Sequence, residues 1–254
     1  MLKSPREEIL LTQDSVNPVT MKRRARTAKL RRVYELARRH FGHQNWWPGD
    51  TPFEVCVGAI LTQNTSWSNV ERAIANLKTA RVLDPRLLYS LPESELAQLL
   101  RPTGYFNVKA RRLRAFLAVL VEDCDGDLNR LLAGETEKVR ARLLAIRGIG
   151  PETADSILLY AGGHPRFVID AYTRRIFARH GWCGADATYD ELQVLCESAL
   201  KEKPLSRRLD HWQDYHAQLV IIGKEFCRTS NPRCDACPLK PLLPKPDSPV
   251  AVRG

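Results

Sequence analysis

Three groups of residues in this chain have types and spacings that could do chemistry. The first is the stretch LLAIRGIGPETADSILLYAGG (residues 143–163), two apolar-periodic segments broken by Gly148, Ile149 and Gly150. Glycines at 148 and 150 let the backbone bend sharply and leave its N–H groups uncovered by side chains. Pro151 suits the first position of the following helix, where its missing donor costs nothing. Bare N–H groups at the positive end of a helix form an anion site, and a nucleic-acid phosphate is the obvious occupant. A plain helix–helix corner is the alternative for so short a motif. The second group is a lone acid, Asp170, which follows Gly150 by 20 residues in RFVIDAYTRR. The third is CRTSNPRCDAC, which places Cys227, Cys234 and Cys237 in a C-x6-C-x2-C spacing.

The elements that must position these groups read as helices. Leu30, Val33, Leu36, Ala37 and Phe41 mark one face of a helix, and WWPGDTP ends it, because two prolines and a glycine do not fit a helix interior. FEVCVGAILTQ is apolar for longer than a typical strand and reads as a buried helix. Val70, Ile74 and Leu77 form a stripe, and Leu113, Phe116, Leu117 and Leu120 form another. No convincing two-residue alternation occurs, so the expected class is all-α, with about ten helices and short connections.

The chain has 254 residues, 44% of them apolar, enough for one large or two small domains. Lys and Arg outnumber Asp and Glu 39 to 29, a formal net charge of +10, which points to an anionic partner or to a merely soluble basic protein. No apolar run approaches the ~18 residues of a membrane span, and the first residues do not read as a secretory signal. Seven cysteines without a disulfide framework suggest a reducing compartment. A cytoplasmic, nucleoid-associated monomer is the expectation. Residues 1–26 lack apolar periodicity and read as a disordered basic tail.

The whole string LLAIRGIGPETADSILLYAGGHPRFVIDAYTRRIFARHG is far more specific than its glycines. It resembles the helix-hairpin-helix DNA glycosylase superfamily, of which endonuclease III is the best-known member. TPFEVCVGAILTQNTSWSNV, GYFNVKARRL and the cysteine-bearing tail match in the same order, so the resemblance spans roughly residues 30–240. It implies two helical lobes with damaged double-stranded DNA in the groove between them. One lobe is a six-helix barrel, residues 48–164, containing the hairpin. The other joins 27–47 with 165–243 and carries the cysteines, leaving 244–254 as a flexible tail.

Carried over residue by residue, the resemblance makes Asp170 the catalytic group. Breaking an N-glycosidic bond builds positive charge on the sugar, which a carboxylate stabilises while it orients the attacking water. Asp170 could also simply cap the helix AYTRRIF. Bifunctional members carry a lysine in the hairpin that attacks the sugar as an amine. Glu152 holds that position here and cannot form an imine, so lyase activity is expected to be weak or absent. A bland role for Glu152 is to complement the helix dipole. Gly148, Ile149, Gly150 and Thr153 would face the DNA backbone. Gln63 matches the residue that fills the gap left by a flipped base, with Asn64 beside it, unless Gln63 merely meets solvent at a helix end.

The details WWP, LTQNT, RPTGYFN, GIGPETAD and YDELQ are similar to those of bacterial endonuclease III-like 3-methyladenine DNA glycosylases. An alkylated purine is cationic, so electron-rich rings suit it, and Trp46 and Trp47, with Phe53 near, are the candidates for that pocket. Core packing is their other role. An oxidised-pyrimidine glycosylase with lyase activity and a non-catalytic DNA-binding protein are the rival readings. In the family the cysteine run continues x5-C and binds a [4Fe–4S] cluster. Here Leu243 stands at that fourth position. Solvent, Asp247 or one of Cys56, Cys124, Cys183 and Cys196 would have to complete the set; a zinc site or an unmetallated trio competes with the cluster.

Overall fold

In the computed structural model, residues 18–46, 49–184, 186–200 and 204–244 are described, and among them there are helices and connections but no strand. The helices run α1 (Pro18–Phe41), α2 (Pro52–Leu61), α3 (Trp67–Thr79), α4 (Pro85–Ser90), α5 (Glu93–Leu99), α6 (Phe106–Ala118) and α7 (Leu128–Leu132). They continue as α8 (Thr136–Leu144), α9 (Pro151–Tyr160), α10 (Ala171–Arg179), α11 (Tyr189–Leu200) and α12 (Leu205–Glu225). Sequence signals set several of the boundaries. Thr51, Asp84 and Asp127 each cap the helix that follows by accepting a backbone N–H, and proline occupies the first turn of α2, α4 and α9.

The expected tail is corrected at its inner end. Helix α1 already begins at Pro18, so residues 18–26 are helical rather than disordered. Past Pro18 the run VTMKRRARTAKLRR contains no glycine or proline and is rich in Lys, Arg and Ala, which favour helix without needing an apolar stripe. Residues 1–17 and 245–254 lie outside the described residues.

Two hydrophobic cores form. One gathers α2 through α8, the hairpin residues Ile146 and Ile149, and α9 as far as Leu158. The other gathers Leu30, Val33 and Ala37 of α1, then Leu159 and Tyr160, the extended segment Phe167–Ile169, and α10, α11 and α12. Helix α9 therefore changes allegiance between Leu158 and Leu159, and Val55 of α2 also joins the second core. Each fully buried Leu or Phe in these clusters contributes about 1.5–3 kcal/mol relative to exposure.

Polar pins fix α9 against its neighbours. The carboxylate of Asp155, fully buried, accepts two hydrogen bonds from Arg140 on α8 at 2.7 and 3.1 Å and one from Gln193 on α11 at 2.7 Å. The amide of Gln193 also donates to the Phe167 carbonyl at 2.7 Å. Asp214 on α12 does similar work for the segment after α1. It accepts from the Tyr34 hydroxyl at 2.7 Å and the Gln44 N–H at 2.8 Å, and it pairs with Arg38 at 3.2 Å. This bundle of bonds orders residues 42–46 and so sets where Trp46 stands.

Candidate active site

Asp170 ends the buried run Phe167–Ile169 and caps α10: its Oδ1 accepts the Thr173 N–H at 2.7 Å. The capping role weighed from sequence is therefore real, and it commits one oxygen of the carboxylate. The other, Oδ2, lies 3.5 Å from Nε2 of His216 on α12. Burial acts to raise the pKa of Asp170, but His216 and the Thr173 bond outweigh it and hold the carboxyl below its ordinary range. Asp170 is thus an ionised carboxylate in a nearly dry position, only 9% exposed.

Around it stands a polar and aromatic cluster. The Tyr160 hydroxyl is 2.7 Å from Nδ1 of His216. Trp46, half-buried, meets Tyr160 edge-on at 5.5 Å and Trp67 edge-on at 6.5 Å, and it tilts over His216 at 6.0 Å. Phe53 does not join this group; it packs against the first core instead. Trp47 lies outside the described residues.

Glu152, in the first turn of α9, is reachable by solvent but crowded by the walls around it. Burial and then the charge of Asp170 push its carboxyl upward, against the opposing pull of His216 and Arg174. Two carboxylates close enough to interact are therefore shifted in opposite directions, which separates a group held ionised from one that more readily keeps a proton.

The hairpin differs from expectation in one detail. Gly148 does need glycine: φ is +93°, and a Cβ there would sit 2.4 Å from Cγ of Arg112. Gly150 does not, since φ −95° and ψ 178° are ordinary extended backbone. Its missing side chain matters for space instead, as nothing lies within 4 Å of where a Cβ would be. The side chain of Ile149 is buried in the first core, so only its backbone faces outward chemistry. Gln63 is drawn onto the hairpin: its amide donates to the Gly148 carbonyl at 3.0 Å and to the Thr153 hydroxyl at 2.9 Å, and its carbonyl accepts from Arg112. Asn64 follows, exposed and left-handed at φ 55°.

Sequence reasoning missed His216, Tyr160, Arg112 and Tyr105. Tyr105 is 76% exposed on left-handed backbone (φ 46°) just before α6. An aromatic between glycine and a helix start, outside any apolar stripe, was the available signal. His216 and Tyr160 sit within helical patterns that read as core, and no local signal set them apart.

The three cysteines of the tail line one cavity with Arg179, Phe226 and Leu243, its empty volume about 350 Å³ including the open mouth. Arg179 donates to the Cys227 sulfur at 3.5 Å. Leu243 lines the cavity where the family spacing would supply a fourth thiol. Among the described residues no three His, Cys, Asp or Glu side chains converge as a single metal ion would require. Cys56 and Cys124 are buried in the first core, and Cys196 in the second.

Comparison with known proteins decides what the cleft belongs to. Residues 57–202 match the family model of the HhH-GPD superfamily base excision DNA repair proteins. The chain belongs to that superfamily. A provisionally named DNA repair glycosylase of Methanocaldococcus jannaschii is 44% identical over 211 residues, 82% of this chain and 93% of the relative. Endonuclease III of Bacillus subtilis is 26% identical over 193 residues, 75% of this chain and 80% of that one. Among solved structures, the Helicobacter pylori 3-methyladenine DNA glycosylase bound to 1,N6-ethenoadenine superposes with TM-score 0.68 at 28% identity, covering 79% of this chain and 97% of its own. A non-covalent endonuclease III–DNA complex superposes with TM-score 0.71 at 22% identity over 85% of this chain and 94% of that one, a likeness of fold. The HhH-GPD protein is thus an endonuclease III-like DNA repair glycosylase. No helix among its described residues is long and apolar enough to cross a membrane.

Proposed function

We propose that this glycosylase is monofunctional and acts on alkylated purines, with Asp170 as the catalytic carboxylate. What supports the reading is the chemistry of two acids: Asp170 is buried, caps α10 and is held ionised, while Glu152, at the position matching the family's lyase lysine, offers no amine. In the reaction, the glycosidic bond breaks toward the base and the sugar takes on positive charge. Asp170 stabilises that charge and receives a proton from the water that closes on C1′. The free base departs with the bonding pair, and an abasic site remains. A carboxylate at 152 offers no nitrogen for an imine, so the strand stays intact.

Trp46 supports the choice of substrate. Its indole stands beside Tyr160, Trp67 and His216, an electron-rich wall suited to a cationic alkylpurine flipped from the duplex. The likeness to the H. pylori enzyme, whose bound ligand is 1,N6-ethenoadenine, points the same way. The open space before Gly150 and the N–H groups of the hairpin would take a DNA phosphate. Gln63 and Asn64 would fill the gap behind the flipped base, with exposed Tyr105 available as a second wedge. Cys227, Cys234 and Cys237 would hold three irons of a [4Fe–4S] cluster, whose contribution when bound is to tie the basic tail loop to α12.

The test is a pair of end-labelled duplexes, one methylated and one carrying thymine glycol, each assayed with and without hot alkali. Breaks in methylated DNA that appear only after alkali are expected. Breaks at thymine glycol without alkali would establish an endonuclease III-type lyase instead, and no release of base from either duplex would leave a DNA-binding protein.

A further inference from the structure

His216 is 5% exposed, and its Nε2 finds no hydrogen-bond partner although it faces the free oxygen of Asp170 at 3.5 Å. A buried, unpaired ring nitrogen costs stability unless it has a use. The other ring nitrogen is engaged: the Tyr160 hydroxyl lies 2.7 Å from Nδ1, and it is 3.3 Å from the Gln213 carbonyl. Trp46 covers the ring from one side. The imidazole is therefore fixed in place by two neighbours and aimed at a third.

The hydrogen arrangement follows from the charges. If Tyr160 donates to Nδ1, the single proton of a neutral ring sits on Nε2 and faces the carboxylate. If Tyr160 instead donates to the Gln213 carbonyl, Nδ1–H donates to the tyrosine oxygen. A neutral ring would then turn the lone pair of Nε2 toward the anion, a repulsive contact. The arrangement compatible with an ionised Asp170 puts the N–H at Nε2. The 3.5 Å separation is long for a hydrogen bond, as catalytic contacts often are before substrate closes the site.

We propose that His216, oriented by Tyr160, is a positioning residue that holds the free oxygen of Asp170 as an aimed anion. The proposal rests on Asp170 being the catalytic carboxylate. With Oδ1 committed to Thr173, Oδ2 is the oxygen left to meet the sugar or water, and His216 is the group that fixes its direction. The groups facing this pair from neighbouring elements are Tyr160 at the end of α9, Glu152 at its start, and Gln213 and Asp214 on α12 itself; Arg174 on α10 acts on Glu152. Of these, Glu152 opposes the ionisation of Asp170, so the burden of favouring the anion falls on His216 and the Thr173 bond.

The test uses the full chain with His216→Leu, His216→Gln and Tyr160→Phe. Two readouts are taken: the pH profile of single-turnover excision from duplex carrying 1,N6-ethenoadenine or methylated purines, and the carboxyl carbon titration of Asp170 by NMR. Losing His216 removes what lowers the Asp170 midpoint, so His216→Leu should move that midpoint and the acid limb of the profile upward. His216→Gln, whose amide N–H reaches near the Nε2 position, should recover most of the shift. Tyr160→Phe should shift both in the same direction by less. DNA affinity should stay within about threefold, because no DNA contact is removed. An Asp170 midpoint unchanged in both His216→Leu and Tyr160→Phe would overturn the proposal and leave His216 as packing. Should His216→Leu fail to fold, Tyr160→Phe and His216→Gln carry the comparison. If the parent excises neither base, the substrate reading fails, while the carboxyl titration still decides the role of His216.

Discussion

Replacing Asp170 by Asn isolates charge from structure. The two side chains have the same shape, and Asn caps a helix about as well as Asp, so the bond from the Thr173 N–H survives and stability should change by less than about 1 kcal/mol. What disappears is one negative charge beside a developing cation. Two unit charges about 4 Å apart at an effective dielectric near 20 attract by about 4 kcal/mol, which corresponds to roughly a thousandfold in rate. The site is only 9% exposed at Asp170, so bulk-water screening does not erase that attraction. The assay is single-turnover base release from methylated duplex followed by alkali, with DNA affinity measured in parallel by fluorescence anisotropy. The expected outcome is a loss of about three decades in the chemical step at near-parental affinity. A loss below tenfold in a folded variant would refute the assignment of Asp170. An equal loss in affinity would show that the carboxylate works in binding and not in chemistry.

Three further perturbations test neighbouring claims. Glu152→Lys supplies an amine at the lyase position next to Asp170, and strand cleavage without alkali should appear, along with a borohydride-trapped enzyme–DNA adduct; neither product would mean that position 152 does not reach the sugar. Leu243→Cys places a thiol in the lining of the cavity that already holds Cys227, Cys234 and Cys237, and iron content per chain and resistance of the visible cluster absorbance to air should both rise over the parent. Unchanged iron content would argue that another group already completes the set. Arg140→Ala leaves fully buried Asp155 without its paired hydrogen bonds, a loss of about 3–5 kcal/mol, softened by Arg166 at 3.8 Å. Calorimetry should then record a melting temperature lower by about 6–12 °C, and a drop under 2 °C would contradict the role given to this pin.

The sequence by itself determined whatever short-range physics governs. Apolar periodicity gave the helical class, proline and capping residues gave many helix starts, and Gly148 with Pro151 marked the hairpin. The spacing of the three cysteines was equally legible, because it is a statement about neighbours along the chain. The reach of α1 back to Pro18 was missed for a related reason: a helix rich in Ala, Lys and Arg needs no apolar stripe to announce it. Only the tertiary structure decided which side chains meet. It brought His216 to Asp170 and Trp46 to Tyr160 and Trp67, while turning Phe53 into the barrel core. It bound Gln63 to the hairpin 85 residues away. It also showed that Gly150 is needed for open space and not for an unusual φ. Convergence of this kind depends on how whole helices dock, and docking follows from the sum of many buried contacts spread across α1, α9, α10 and α12. No local pattern encodes that sum, so the elements could be read from the sequence and the company their side chains keep could not.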